Sequence, residues 1–195
     1  MNIYLLRHGQ TQDNAEGRYA SCSDTPLNEL GRTQLRCVAD WLRGIAFDRV
    51  YSSPSRRALE SAQIVIPGAE PCTDDRLAER RYGIFEGLTY EQIKKQYAEA
   101  LAGWENNWMH YEVPQGESYM TFYMRVAAFW EDLLRLDTEN VLLSTHGGVI
   151  CASYCFIMGD ASLFWKFSSG NADLSLARYE HRNLYLRYIQ PCTLE

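Results

Sequence analysis

The sequence predicts an α/β protein, a three-layer α/β/α sandwich around a mostly parallel central sheet. Three observations carry that expectation. Short apolar runs alternate with helix-period segments along most of the 195 residues. Two of those runs, 3–6 and 141–143, end in a histidine followed by glycine. The chain finishes in two alternating segments, 174–179 and 183–189, separated only by Glu180-His181-Arg182. Strand–helix alternation favours parallel strands joined by crossover helices, and such strands read as near-continuous apolar runs because both faces are buried.

In chain order, residues 2–7 form the first expected strand. Leu35, Val38, Ala39 and Leu42 fall at helical spacing and predict a helix over about 28–43. A short strand is expected at 48–51. Ser53-Pro54 then has the form of an N-cap followed by proline at the first helical position, opening a helix that runs to about Ile66, ahead of Pro67-Gly68. A short strand near 70–73 leads to Leu77 and Glu79. Residues 89–111 are polar and aromatic and partly helical, and Pro114-Gln115-Gly116 breaks the chain. Phe122, Val126, Phe129, Trp130 and Leu133 mark one face of a long amphipathic helix. A strand at 140–145 feeds a helix over about 148–158, and the two closing segments pair antiparallel. The expected organisation is one domain over 1–195, with a helical and aromatic insertion at about 80–116 covering the site.

The net charge of −6 opposes a general nucleic-acid binder, since phosphate backbones select basic surfaces. It leaves room for a small phosphorylated substrate held by a local arginine pocket. No run approaches a membrane span, and no signal-peptide apolar stretch opens the chain, so a cytoplasmic location is the expectation. The six cysteines form no CxxC pair. Cys151 and Cys155 stand four apart on a helix without further ligands nearby, which reads as core packing rather than a metal site. No metal or cofactor is expected.

Ligands in open α/β sheets bind outside the carboxyl ends of the strands. Arg7 and His8 follow the first strand, Arg57 lies in the first turn after the second, Glu79 follows the third, and His146 follows the strand at 140–145. Each has a bland reading: a core histidine, a solvated Arg56-Arg57 face, a surface cluster at Glu79-Arg80-Arg81, a helix cap. All of them at one sheet edge form an inventory for phosphoryl transfer. Arginines grip phosphate oxygens, an imidazole attacks phosphorus, a second imidazole and a helix N-terminus stabilise charge, and a carboxyl group moves the proton.

Arg7-His8-Gly9 with Thr11 and Asn14, Asp24-Thr25-Pro26-Leu27 with Gly31, the block 52–58, Leu77-Ala78-Glu79-Arg80-Arg81-Tyr82-Gly83 with Glu86-Gly87, and Thr145-His146-Gly147-Gly148 together resemble the histidine phosphatase superfamily, also called phosphoglycerate mutase-like. The resemblance implies His8 as phosphohistidine nucleophile, Arg7, Arg57 and His146 as the phosphate pocket, and Glu79 as proton donor. Asn14 and Gly147 are further expected substrate contacts. Ser21 and Gln115 stand where relatives commonly have glycine.

The superfamily holds mutases and hydrolases. Its mutases carry a basic stretch after the acid–base block, whereas residues 96–124 contain no lysine or arginine. Trp104 and Trp108, followed by Pro114-Gln115-Gly116-Glu117-Ser118, instead resemble the α-ribazole phosphatase branch of cobalamin nucleotide-loop synthesis. The expected activity is hydrolysis of α-ribazole 5′-phosphate, with Trp104 and Trp108 lining the substrate mouth. A broad metabolite or sugar phosphatase is the alternative, and a mutase or a non-catalytic binding module lies further off.

Overall fold

A computed structural model describes residues 1–193. Six strands form one sheet: β1 (Asn2–Arg7), β2 (Arg49–Ser52), β3 (Cys72–Thr73), β4 (Asn140–Thr145), β5 (Leu174–Glu180) and β6 (Asn183–Gln190), in the order β3-β2-β4-β1-β5-β6. The first four are mutually parallel, and β5 and β6 are added antiparallel. The mostly parallel sheet expected from the sequence is therefore present, and so is the closing antiparallel pair. Its two-residue turn, His181-Arg182, has both residues at positive φ, as the hairpin geometry of twisted strands requires.

The helices are α1 (Gln12–Ala15), α2 (Glu29–Trp41), α3 (Arg56–Val65), α4 (Tyr90–Gln96), α5 (Ala98–Asn106), α6 (Tyr119–Leu133) and α7 (Gly147–Met158). Alternate residues of a strand face opposite sides, and β1 shows what each side meets. Ile3 and Leu5 pack with Phe122, Val126 and Trp130 of α6 and Val149 and Ile150 of α7. Tyr4 and Leu6 pack with Leu35 and Val38 of α2 and Val65 of α3. Helices thus cover both faces, giving the three layers. Residues 82–113 build a smaller core of their own around Phe85, Ile93, Leu101, Trp104 and Val113.

One local expectation is corrected, and two short elements were not expected. Ser53 is not the cap of α3: the helix begins two residues later, with Ser55 at the N-cap and Pro54 outside it. Proline restricts the residue before it to extended backbone, and the Ser53 hydroxyl is 2.8 Å from His146 Nε2 instead of capping. The short helix α1 carries no apolar period that would betray it; it is held by a capping box between Thr11 and Asn14. A 3-10 turn over Ala161–Lys166 is likewise absent from the sequence expectation.

Candidate active site

β1 and β4 are neighbours in register, with Arg7 beside Thr145. The next residue of each chain is therefore a histidine, and the two imidazoles meet edge to face with centroids 5.1 Å apart. β2 pairs with the other side of β4, which brings Ser53, Ser55 and Arg57 to the same end. Adjacent strand ends thus converge His8, His146 and Arg57, and the turn after β3 adds Glu79. All of the expected catalytic side chains lie at this one edge.

His8 is 3% exposed. Its backbone N–H donates to Thr145 O at 2.9 Å, and its carbonyl accepts from Ala172 N at 3.1 Å. Nδ1 lies 2.7 Å from the Gly9 carbonyl. A carbonyl can only accept, so Nδ1 carries the proton and the Nε2 lone pair is left free. The chain turns tightly here: a Cβ on Gly9 would strike the Gly31 carbonyl, so α2 can approach only because both residues are glycine. Burial first, then the charges of Arg7 and Arg57, hold the imidazole well below its usual pKa, so it stays neutral.

His146 is equally buried and neutral, held well below its usual pKa by burial and then by His8, Arg57 and Arg7. Arg57 Nη2 stands 3.4 Å from its Nδ1. A guanidinium only donates, so Nδ1 accepts and the proton sits on Nε2, facing the Ser53 and Ser55 hydroxyls at 2.8 and 3.3 Å. The two histidines hold opposite tautomers.

Arg7 Nη1 donates to the Ser169 carbonyl, and its Nε is buried without a partner among the described residues. Arg57 is turned onto the loop after α1: Nη1 donates to Ser23 O at 2.7 Å and Nη2 to Ala20 O and Ser21 O at 3.2 Å. Glu86 grips the same loop by its amides, accepting from Ser21 N, Cys22 N and Ser23 N, with the Ser21 hydroxyl adding a bond of 2.6 Å. Where relatives commonly have glycine, the serine side chain thus supplies an additional tie.

Glu79 is fastened by both carboxylate oxygens, Oε1 accepting from Arg80 N at 2.9 Å and Oε2 from Gly148 N at 3.0 Å. It sits at the N-terminus of α7, whose first turn supplies the Gly148 N–H.

Arg7, His8, Asn14 and Glu79 line one cavity of about 330 Å³, together with Arg18, Tyr19, Tyr82 and Tyr90. Glu79 and His146 also line a second cavity of about 290 Å³, walled by residues 21–24 and 53–55. Asn14 Oδ1 accepts from Thr11 N, Thr11 Oγ1 and Asn171 Nδ2, so its amide nitrogen is the group it can offer a ligand. Arg57 and Gly147 line neither cavity, because the Arg57 guanidinium is spent on the loop carbonyls and Gly147 packs against Arg7. A third hollow of about 310 Å³ adjoins the first through Tyr19 and Tyr90 and is completed by Trp104, Glu105, Trp108 and Trp165. Tyr111 does not reach it; its ring packs under Gly103.

Residues 3–190 match the histidine phosphatase superfamily (branch 1). The chain belongs to that superfamily. Phosphoserine phosphatase 1 of Hydrogenobacter thermophilus is 31% identical, over 100% of this chain and 94% of its own. The adenosylcobalamin/alpha-ribazole phosphatase of Escherichia coli is 30% identical, over 86% of this chain and 84% of its own. Among solved structures, the alpha-ribazole phosphatase from Shigella flexneri superposes with a TM-score of 0.91 at 27% identity, over the whole of both chains. Superfamily membership and the phosphoglycerate mutase-like fold thus agree with the sequence reading.

Sequence reasoning gave no role to Tyr19, Tyr82, Glu86, Tyr90 or Trp165. Tyr82 and Glu86 stand inside the quoted motif blocks, which was their only signal. Trp165 stands in a segment with no period or motif. No helix of the described residues is long and apolar enough to cross a membrane.

Proposed function

We propose that this single-domain superfamily member hydrolyses phosphomonoesters through a phosphohistidine on His8. The observation that carries the reading is the free Nε2 of a buried neutral imidazole, flanked by Arg7, Arg57 and His146 and sharing a cavity with Glu79. The Nε2 lone pair forms a bond to phosphorus as the bond to the leaving oxygen breaks. Glu79, in its acid form, gives that oxygen its proton. The resulting carboxylate then takes a proton from water as the water oxygen attacks the phosphohistidine, releasing phosphate and restoring His8. Arg7 and Asn14 hold phosphate oxygens, with Arg57 and His146 completing the charge once the phosphate competes with the loop carbonyls for the guanidinium. The segment at about 80–116 covers the site.

For the substrate we propose α-ribazole 5′-phosphate. The hollow that adjoins the phosphate cavity through Tyr19 and Tyr90 is aromatic and is lined by no lysine or arginine. Phosphoserine is the second reading, since phosphoserine phosphatases stand among the relatives and Arg18 lines the cavity. Arg18 is however committed to Glu16 and the Gly87 carbonyl, each at 2.6 Å. The test is turnover of both esters side by side, with His8→Ala as control. Wild type should favour α-ribazole 5′-phosphate, and His8→Ala should lose at least about 10³-fold in kcat together with acid-labile labelling by radioactive substrate. Labelling at a serine or cysteine would refute the mechanism, and faster release from phosphoserine would move the assignment to the second reading.

A further inference from the structure

The aromatic hollow beyond Tyr19 and Tyr90 has no part in phosphate chemistry, yet it shares those two walls with the phosphate cavity. One ligand can therefore place its phosphate at His8 and its remainder in the hollow. At about 310 Å³ it suits a bicyclic ring rather than a chain. Its walls come from distant parts of the sequence: Tyr19 after α1, Tyr90 on α4, Trp104 on α5, Trp108 beyond it, and Trp165 on the turn after α7.

One feature is costly without a ligand. Trp165 is 59% exposed, although its edge contacts Trp104 and Trp108 at centroid distances of 6.2 and 5.9 Å. An exposed tryptophan on a concave aromatic wall offers a stacking surface.

The chemistry also distinguishes ligand classes. The only formal charge on the wall is Glu105, which already accepts from Tyr90 Oη at 2.6 Å, so a second anion is disfavoured. A cation is disfavoured as well, because the Arg80 guanidinium lies 5.7 Å from the Trp104 ring centroid and claims its π-system. What remains is a neutral, flat heteroaromatic ring.

We propose that this hollow binds the heteroaromatic base of a nucleotide-like monophosphate, with Trp165 as its stacking surface. The inference rests on the phosphatase reading only for its kinetic arm. Calorimetric titration with unphosphorylated α-ribazole tests the hollow alone. Trp165→Ala, an exposed position that can be changed without unfolding the core, should weaken binding at least about fivefold. In turnover, the ratio of kcat/KM for α-ribazole 5′-phosphate over ribose 5-phosphate should fall by a similar factor in Trp165→Ala. Equal nucleoside affinity in wild type and Trp165→Ala overturns the proposal, as does stronger binding of phosphocholine than of α-ribazole 5′-phosphate to wild type. A wild-type enzyme that binds the nucleoside through Trp165 but cleaves no phosphomonoester would support the hollow and sink the hydrolase reading. Cleavage of ribose 5-phosphate and α-ribazole 5′-phosphate at equal kcat/KM would do the reverse.

Discussion

Glu117 and Arg125 form an ion pair, 2.9 Å from Oε1 to Nη2, that holds the backbone on which Glu79 is mounted. Arg125 Nη1 donates to the carbonyls of Arg76 and Ala78, and Nη2 to that of Glu79. Glu117, 3% exposed, also accepts from Arg81 N at 2.9 Å. The residues before and after Glu79 are thus tied to one charged pair. Removing the arginine leaves a carboxylate buried and unpaired. Arg125→Met should lower stability by about 2–4 kcal/mol in urea titration, somewhat less than a fully buried pair because Arg125 is 22% exposed at its side chain. Under conditions where the variant is folded, kcat should drop more for alkyl phosphates than for p-nitrophenyl phosphate, whose leaving group needs little protonation. Equal drops would mean that the pair supports the fold and not the proton donor.

Gly148 holds Glu79 from the other side. Its N–H binds Oε2, and a Cβ built on it would land on Oε1. Gly148→Ala must displace the carboxyl group or bend the first turn of α7. The expected outcome is a loss of about 10-fold or more in kcat with little change in melting temperature, since misplacement of a catalytic group by an ångström is enough for such losses. A crystal structure of the variant showing Glu79 unmoved would contradict the explanation.

The site was readable from sequence where chemistry coincides with strand ends. Arg7-His8 and Thr145-His146 each close an apolar run, but the pairing of β1 with β4 and the register that sets Arg7 beside Thr145 have no signal in the sequence. Arg57 was legible as a position but not as a geometry: nothing in Arg56-Arg57 shows that the guanidinium would turn onto the carbonyls of Ala20, Ser21 and Ser23. Trp165 was illegible because it acts through contacts with Trp104 and Trp108, more than fifty residues earlier, and a 3-10 turn offers no period to read. The same limit hid the tie between Arg125 and Glu79. Long-range side-chain-to-backbone bonds leave no local pattern.

Gln115 occupies the left-handed region with φ 64°, in the turn that packs against Gly83. An exposed glutamine there strains its backbone by about 1 kcal/mol, which glycine would relieve at some cost in unfolded-chain entropy. Gln115→Gly should leave stability unchanged or raise it by about 0.5–1 kcal/mol, a rise of roughly 1–4 °C in Tm for a chain of this size. A fall in Tm would show that the glutamine side chain contributes more than the strain removes.

Two buried neutral histidines make stability depend on pH in a specific window. In the unfolded chain both titrate near 6.5. In the folded protein burial and the neighbouring arginines hold both well below that value. Above 6.5 neither state binds the protons, so the pair contributes no pH dependence. Below 6.5 the unfolded state takes up protons that the folded state refuses, and stability falls as pH drops toward the depressed folded values. The slope approaches about 1.4 kcal/mol per pH unit for each histidine. Urea midpoints at pH 7.5, 6.5 and 5.5 should therefore fall below 6.5 in wild type and fall less steeply in the double variant His8→Gln/His146→Gln. The same depression keeps His8 unprotonated, so kcat/KM for p-nitrophenyl phosphate should show no break near 6.5. Parallel midpoint curves for wild type and double variant would mean that the folded imidazoles accept protons as readily as free ones, and the neutral nucleophile would then be confined to higher pH.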